Sequence, residues 1–189
     1  MPATASESFS RREAIAAAAA LAGLVGTGPA SAHPARDVDV SRLVRTALFV
    51  SDFDRSVAFF RDLLGLNEVF FQGNFTGPVL GRLLGLPAGA QVRACILKAA
   101  GPAFGMIGIF HVAGHGRPRI RKQRGTVNVG EAVLVFYAAR LDPLVERLRA
   151  GGYTIISPPV NLTPRWRELT CYGPDDVMIN LIERDPSGQ

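Results

Sequence analysis

From Leu43 to Val50 the chain alternates: Val44, Thr46, Leu48 and Val50 fall on one face of an extended segment, and Leu43, Arg45, Ala47 and Phe49 on the other. A period of two predicts a half-buried strand. Ser51-Asp52 follows, and then Phe53, Val57, Phe60 and Leu64 recur at helical spacing, so a helix capped by the polar pair is expected. Gly65 closes it, because glycine takes the left-handed conformation at a helix C-terminus without a steric penalty. Strand-like segments come next, at Leu66 to Phe71, Val92 to Lys98 and Phe104 to Phe110.

The same plan returns in the second half. Ala132 to Ala138 alternates as a strand, and Asp142-Pro143 opens a helix with Asp as N-cap and Pro at the first helical position. Leu141, Leu144, Val145 and Leu148 form its apolar stripe, and Gly151-Gly152 stops it. Three further strands are expected at Tyr153 to Ile156, Glu168 to Tyr172 and Val177 to Ile182. Pro158-Pro159 and Gly173-Pro174-Asp175-Asp176 read as turns between them. Asp54 and Asp142 stand as far apart along the chain as Arg45 and Val133, so the sequence reads as one β-α-β-β-β unit used twice.

Two stretches break the repeat. Residues 74–89 are too long for a hairpin loop and are expected to hold a short helix, as either a lid or a plain insertion. Residues 112–128 join the halves and carry Arg117, Arg119, Arg121, Lys122 and Arg124. A solvated linker is the ordinary reading of such a run, and a grip on anionic lipid or polymer is the alternative.

Composition changes the picture mainly at the N-terminus. The 189 residues are 48% hydrophobic and 20% charged, an ordinary globular balance. A chain of this size buries roughly 70% of its unfolded surface, enough to fold without a metal or disulfide. Arg11-Arg12 precedes a weakly apolar, Ala-rich run from Ala14 to Val25, and Ala30-Ser31-Ala32 offers small residues to a signal peptidase. Residues 1–32 are therefore expected to be an export signal, of twin-arginine type rather than general secretory type. A helix packed on the body is the alternative. The run is too short to span a bilayer, so no stable membrane anchor is expected. His33 would begin the mature chain, 33–42 would be an extension, and 185–189 a tail. Cleavage removes Arg11, Arg12, Glu7 and Glu13, so the formal charge stays +5. In the periplasmic or secreted protein that results, nucleic acid is a poor partner. Cys95 and Cys171 could pair there, or serve as two separate buried residues.

Leu48-Phe49-Val50-Ser51-Asp52-Phe53-Asp54-Arg55-Ser56-Val57-Ala58-Phe59-Phe60, with Leu63-Leu64-Gly65-Leu66 after it, resembles the vicinal oxygen chelate superfamily of glyoxalase I, bleomycin-resistance proteins and extradiol dioxygenases. Leu141-Asp142-Pro143-Leu144, Gly151-Gly152-Tyr153 and Gly173-Pro174-Asp175-Asp176 carry the resemblance in the second half. It implies an α+β domain over 43–184, with module one at 43–111, the basic linker at 112–128 and module two at 129–184. The paired βαβββ modules would form a cleft with a divalent metal on its floor, serving as a Lewis acid or an oxygen-activating centre. The family's ligands come from the first and last strands of each module. At those positions the resemblance puts Arg45, Gly108, Val133 and Asn180, a set poorly suited to a divalent cation. Neither His111, expected to face away from the cleft, nor His115 in the linker repairs it. No metal cofactor is expected.

Without a metal the same positions suit a small ligand. Arg45 offers a fork for a carboxylate or phosphonate. Asn180 donates and accepts, Val133 and Val135 are apolar, Tyr137 brings a hydroxyl, and Trp166, on an expected loop, could cover a flat ligand. The competing reading of Arg45 is an internal ion pair with Glu131 or Glu183. Three functions follow: a small-molecule binder for an anionic, partly apolar compound; a glyoxalase-like lyase, isomerase or dioxygenase using Tyr137, Glu131 or Glu183; or an interaction module acting through the linker. A homodimer is compatible with each.

Overall fold

The computed structural model describes residues 40–114 and 118–184; the expected leader, His33, His115, Arg117 and the tail lie outside them. The compact unit that begins at Ser41 runs β1 (Arg45–Phe49), α1 (Phe53–Ala58) with a π-helical turn (Phe59–Leu63), β2 (Glu68–Phe75), α2 (Pro78–Leu84), β3 (Val92–Lys98) and β4 (Met106–Val112). It continues as β5 (Leu134–Ala138), α3 (Asp142–Ala150), β6 (Ile155–Thr163), β7 (Trp166–Tyr172), a short 3₁₀ turn (Pro174–Asp176) and β8 (Met178–Arg184). Two four-stranded sheets result, β1-β4-β3-β2 and β5-β8-β7-β6, each with its first strand parallel to its last. The doubled β-α-β-β-β plan is the fold, and α2 is the short helix of the insertion.

Alternation sorts the strands as expected. Leu48 and Val50, Cys95 and Leu97, and Ile107 and Ile109 point to one side of the first sheet; Leu134 and Phe136, Leu169 and Cys171, and Ile179 and Leu181 do so in the second. These residues meet Phe53, Val57, Leu144, Val145 and Leu148 from the helices in one apolar core shared by both modules. Asp52 caps α1, its carboxylate accepting from the Arg55 amide at 3.0 Å. After Ala58 the helix widens: the Leu64 amide reaches the Phe59 carbonyl at 3.0 Å, so Phe59 and Phe60, adjacent in sequence, are both buried. Gly65 ends the element with φ +87°.

Several boundaries move. β2 and β4 start later and end later than the pattern predicts, and β6 runs through Pro158-Pro159 rather than turning there. β6 is an edge strand with register shifts on both sides of that pair, which is where a sheet tolerates residues that cannot donate. Asp142 is not the N-cap of α3 but its first residue, and its carboxylate holds Arg167 at 2.9 Å. The group at the helix start is instead Glu183, which accepts from the Leu141 amide. Cys95 and Cys171 are buried on separate sheets and unpaired. Burial pushes the Cys171 thiol up to about 12 and raises that of Cys95.

The linker is exposed along most of its described length, as expected, yet three of its charges have partners. The Lys122 ammonium donates to Glu131 at 2.8 Å and to the Asp176 carbonyl at 3.1 Å. Arg119 lies 3.2 Å from Asp175, and Arg124 lies 3.4 Å from Asp176 and over the Tyr172 ring. The acceptors Asp175 and Asp176 sit in the left-handed region, at φ 54° and 59°, a conformation that carboxamide and carboxylate side chains tolerate better than most. The linker is thereby fastened to the turn before β8.

Lys122 and then Asn128, through their hydrogen bonds, hold the Glu131 carboxyl below its ordinary range; its side chain is 4% exposed. A carboxylate depressed in the folded state stabilises fully above its unfolded value, and that stability is lost as pH falls through the folded one. Glu131→Gln should therefore lower Tm at neutral pH, and the gap from wild type should narrow as pH falls below the ordinary carboxylate range. Thermal melts across that window check this; a gap independent of pH contradicts it.

Candidate functional site

The face of each sheet turned away from the shared core carries the residues that the sequence singles out. On the first sheet, Arg45, Ala47 and Phe49 project from β1 beside Gly108 and Phe110 of β4, following the pairings Ala47 with Gly108 and Phe49 with Phe110. Phe49 and Phe110 stack at 5.6 Å, and Phe71 and Phe75 of β2 stack at 4.9 Å on the same face. Val92, Ala94 and Ile96 of β3 are buried although they too point this way, so the β2–β3 side is closed. The β1 side remains open, with Phe49 about half exposed.

Arg45 lies at that open edge. It pairs with neither Glu131, which Lys122 and Asn128 occupy, nor Glu183, which takes Arg167 and the Leu141 amide on the core side. Its guanidinium has no hydrogen bond or ion pair among the described residues, so the alternative of an internal pair with Glu131 or Glu183 is not met. The arginine stem packs over Gly108. A Cβ built on Gly108 would stand 2.7 Å from the Phe110 ring and 3.5 Å from the Arg45 Cδ. The ring and stem fill the space that a side chain at 108 would need.

On the second sheet, Val135 pairs with Asn180 and Tyr137 with Ile182, and the row continues to Thr170 and Glu168 on β7. Val133, Val135 and Tyr137 are exposed, while Asn180 is half-buried. Its amide donates to Glu168 at 3.1 Å and Thr170 at 3.3 Å. Trp166 is the first residue of β7, paired with Thr163, and not a loop residue as the sequence suggested. Alternation puts it on the face of Glu168. Tyr137, Asn180 and Trp166 are thus brought together on one sheet, with Val133 just before β5, whereas Arg45 belongs to the other, and no strand ladder joins β1 to β5.

Sequence reasoning missed Glu168 and the phenylalanine face. Both were legible: Glu168 alternates with Thr170 opposite buried Leu169, and Phe49 and Phe110 share the parity of Arg45 and Gly108. His111 does point to the core side, where the Val50 carbonyl accepts from its Nδ1 at 3.0 Å.

A divalent metal does not fit the residues at these four positions. Arg45 is cationic, Gly108 has neither a donor nor room for one, Val133 is apolar, and Asn180 turns its amide to Glu168. No group of three or more His, Cys, Asp or Glu side chains with metal-holding spacing occurs among the described residues.

A family model described as the Glyoxalase/Bleomycin resistance protein/Dioxygenase superfamily matches residues 42–181. A glyoxalase family protein from Bacillus cereus superposes with a TM-score of 0.63 at 21% identity, over 81% of this chain and 99% of that one. The trypanothione-dependent glyoxalase I of Leishmania major does so with a TM-score of 0.52 at 16% identity, over 76% of this chain and 87% of that one. At these identities the likeness is one of fold. Among curated proteins none matches the sequence.

The crowding at Gly108 has a measurable consequence. Gly108→Ala should cost about 1–2 kcal/mol through overpacking against Phe110, lowering Tm by a few degrees in a circular-dichroism melt. An unchanged melt would mean that the ring swings away freely.

Proposed function

The chain belongs to the Glyoxalase/Bleomycin resistance protein/Dioxygenase superfamily, and from that premise we propose that it binds a small anionic, partly apolar compound through Arg45, without the family's metal. One observation carries the reading. At the position where the family takes a metal ligand, Gly108 is packed beneath Phe110 and the stem of an unpaired arginine. A fixed cation beside an aromatic face recognises an aryl or alkyl acid by paired N–H donors and apolar contact, and needs no general acid or base. Engagement of Arg119, Lys122 and Arg124 by carboxylates supports this reading over binding of anionic surfaces through the linker.

Because Arg45 and the Tyr137–Asn180–Trp166 group lie on different sheets, we propose a homodimer in which a second copy covers the exposed outer faces, where Phe49, Val135 and Tyr137 stand open. Sedimentation at the mass of two chains is expected.

Phenylphosphonate is a suitable probe. Calorimetric titration should give saturable binding, weakened about tenfold or more in Arg45→Ala, the scale of a lost charge-assisted hydrogen bond, with an unchanged melt. Unaltered affinity in that variant sinks the Arg45 assignment. Elemental analysis of the same sample should find no stoichiometric zinc, iron or manganese, and retention of any of them overturns the metal-free part.

We also propose that residues 1–32 direct twin-arginine export to the periplasm or beyond, on the strength of Arg11-Arg12, the Ala-rich run and Ala30-Ser31-Ala32. Replacing the arginine pair by lysine should leave uncleaved precursor in the cytoplasm. An exported form that still begins at Met1 would overturn the cleavage site.

A further inference from the structure

The modules meet at two seams built from the same pieces. At the first, Ser51-Asp52 after β1 faces the turn Gly173-Pro174-Asp175-Asp176 before β8. At the second, Ala139-Arg140 after β5 occupies the place of Ser51-Asp52 and shares a groove with Leu64, Leu66 and Ala99, while the turn before β4 that matches 173–176 along the chain, Gly101-Pro102-Ala103-Phe104, does not line it. The repeat is clear enough to compare the seams residue by residue.

A carboxylate closes the first seam. Asp175 accepts from the Ser51 amide at 2.7 Å and its hydroxyl at 2.5 Å, and Arg119 approaches it at 3.2 Å. About 190 Å³ is left there. At the second seam Ala103 brings no carboxylate, and its turn takes another course, with Gly101 at φ 119° against −83° at Gly173. The Ala139 amide has no acceptor among the described residues, and a guanidinium, Arg140, stands where Asp52 would be. What remains is a groove of about 560 Å³.

Its walls are apolar, from Leu64 and Leu66 at the end of the π-helical turn and from Phe136 and Leu144 across the seam. Arg140 and Arg147 line it as well, and neither guanidinium has a hydrogen bond or ion pair among the described residues. The nearby Asp142 carboxylate feels Arg140, yet its oxygens are held by Arg167 at 2.9 and 3.3 Å. The second seam thus combines a concave apolar wall with two cations, and its nearest carboxylates, Asp142 and Glu183, are held by Arg167 and the Leu141 amide.

We propose that this groove binds a small amphipathic carboxylate, its head group on Arg140 and Arg147 and its hydrocarbon chain along Leu64, Leu66, Phe136 and Leu144. A flat, singly charged head is what the twin seam accommodates, and a guanidinium meets such a head with paired N–H donors. The apolar walls add affinity with each methylene removed from water. The site is separate from Arg45 and does not rest on it.

Octanoate is the probe, titrated calorimetrically into Arg45→Ala protein so that the first site is disabled. Saturable binding is expected there, and acetate, which has the head without the tail, should not saturate. Arg140→Ala added to that background should weaken octanoate about tenfold or more. Ala99→Glu, which puts a carboxylate on an exposed position of the groove wall, should weaken it similarly with the melt unchanged. Absence of saturable binding, or unaltered affinity in either variant, overturns the proposal. Failure of the Arg45 reading shows separately, in the phenylphosphonate titration of the otherwise native chain.

Discussion

Phe59 is fully buried although it sits at the end of a short helix, because it reaches out of its own module. Its ring meets Tyr153 edge-on at 4.6 Å and lies against Gly173, where a Cβ would stand 3.1 Å from Phe59 and 2.9 Å from Ile179. A side chain at 173 would press on both Ile179 and Phe59, so glycine lets the ring lie close. The widened turn after Ala58 makes it possible by burying two consecutive phenylalanines where a regular helix would have turned one of them to solvent. One contact therefore ties the register of the first helix to the turn before β8. With the modules joined in this way, the loop after β1 is set against Asp175, the linker against Asp176, and the outer faces of both sheets are left for other work.

Much of this was readable in the sequence. The parity of Leu43 to Val50 decided which side chains face the core, and Arg45, Ala47 and Phe49 fall on the outer face as that parity requires. The cap at Asp52, the stop at Gly65 and the second β-α-β-β-β unit were equally legible, because each depends on a few neighbouring residues. The failures have non-local causes. Pro158-Pro159 reads as a turn in any local window and is strand only because β6 lies at an edge. Asp142 looks like a cap until Arg167, from another strand, takes its carboxylate. Parity also assigns a face without saying which sheet the face belongs to, so Arg45 and Asn180 could be read as neighbours when no ladder connects their sheets.

The charges show the same division between local and non-local information. A run of arginine and lysine between two modules reads as solvated, yet Lys122 is the mostly covered partner of Glu131. Its partners come from residues on both sides of β5, so no window of sequence contains the pair together with the Asp176 carbonyl that completes it. Burial of this kind makes a charge depend on its partner more than on solvent.

The packing around Gly108 bears on how this chain could change. A metal donor installed there would collide with Phe110, removal of Phe110 alone would uncover the glycine and unstack Phe49, and Arg45 would still present a positive charge to any cation. Both the Phe110 ring and the Arg45 stem crowd position 108, so substitutions at the three positions would not act independently. Installing a metal donor at 108 would therefore require change at Phe110 and Arg45 as well as at the glycine. The first sheet is in that respect an interlocked surface, held by the fit of one aromatic ring into the space a side chain at 108 would take.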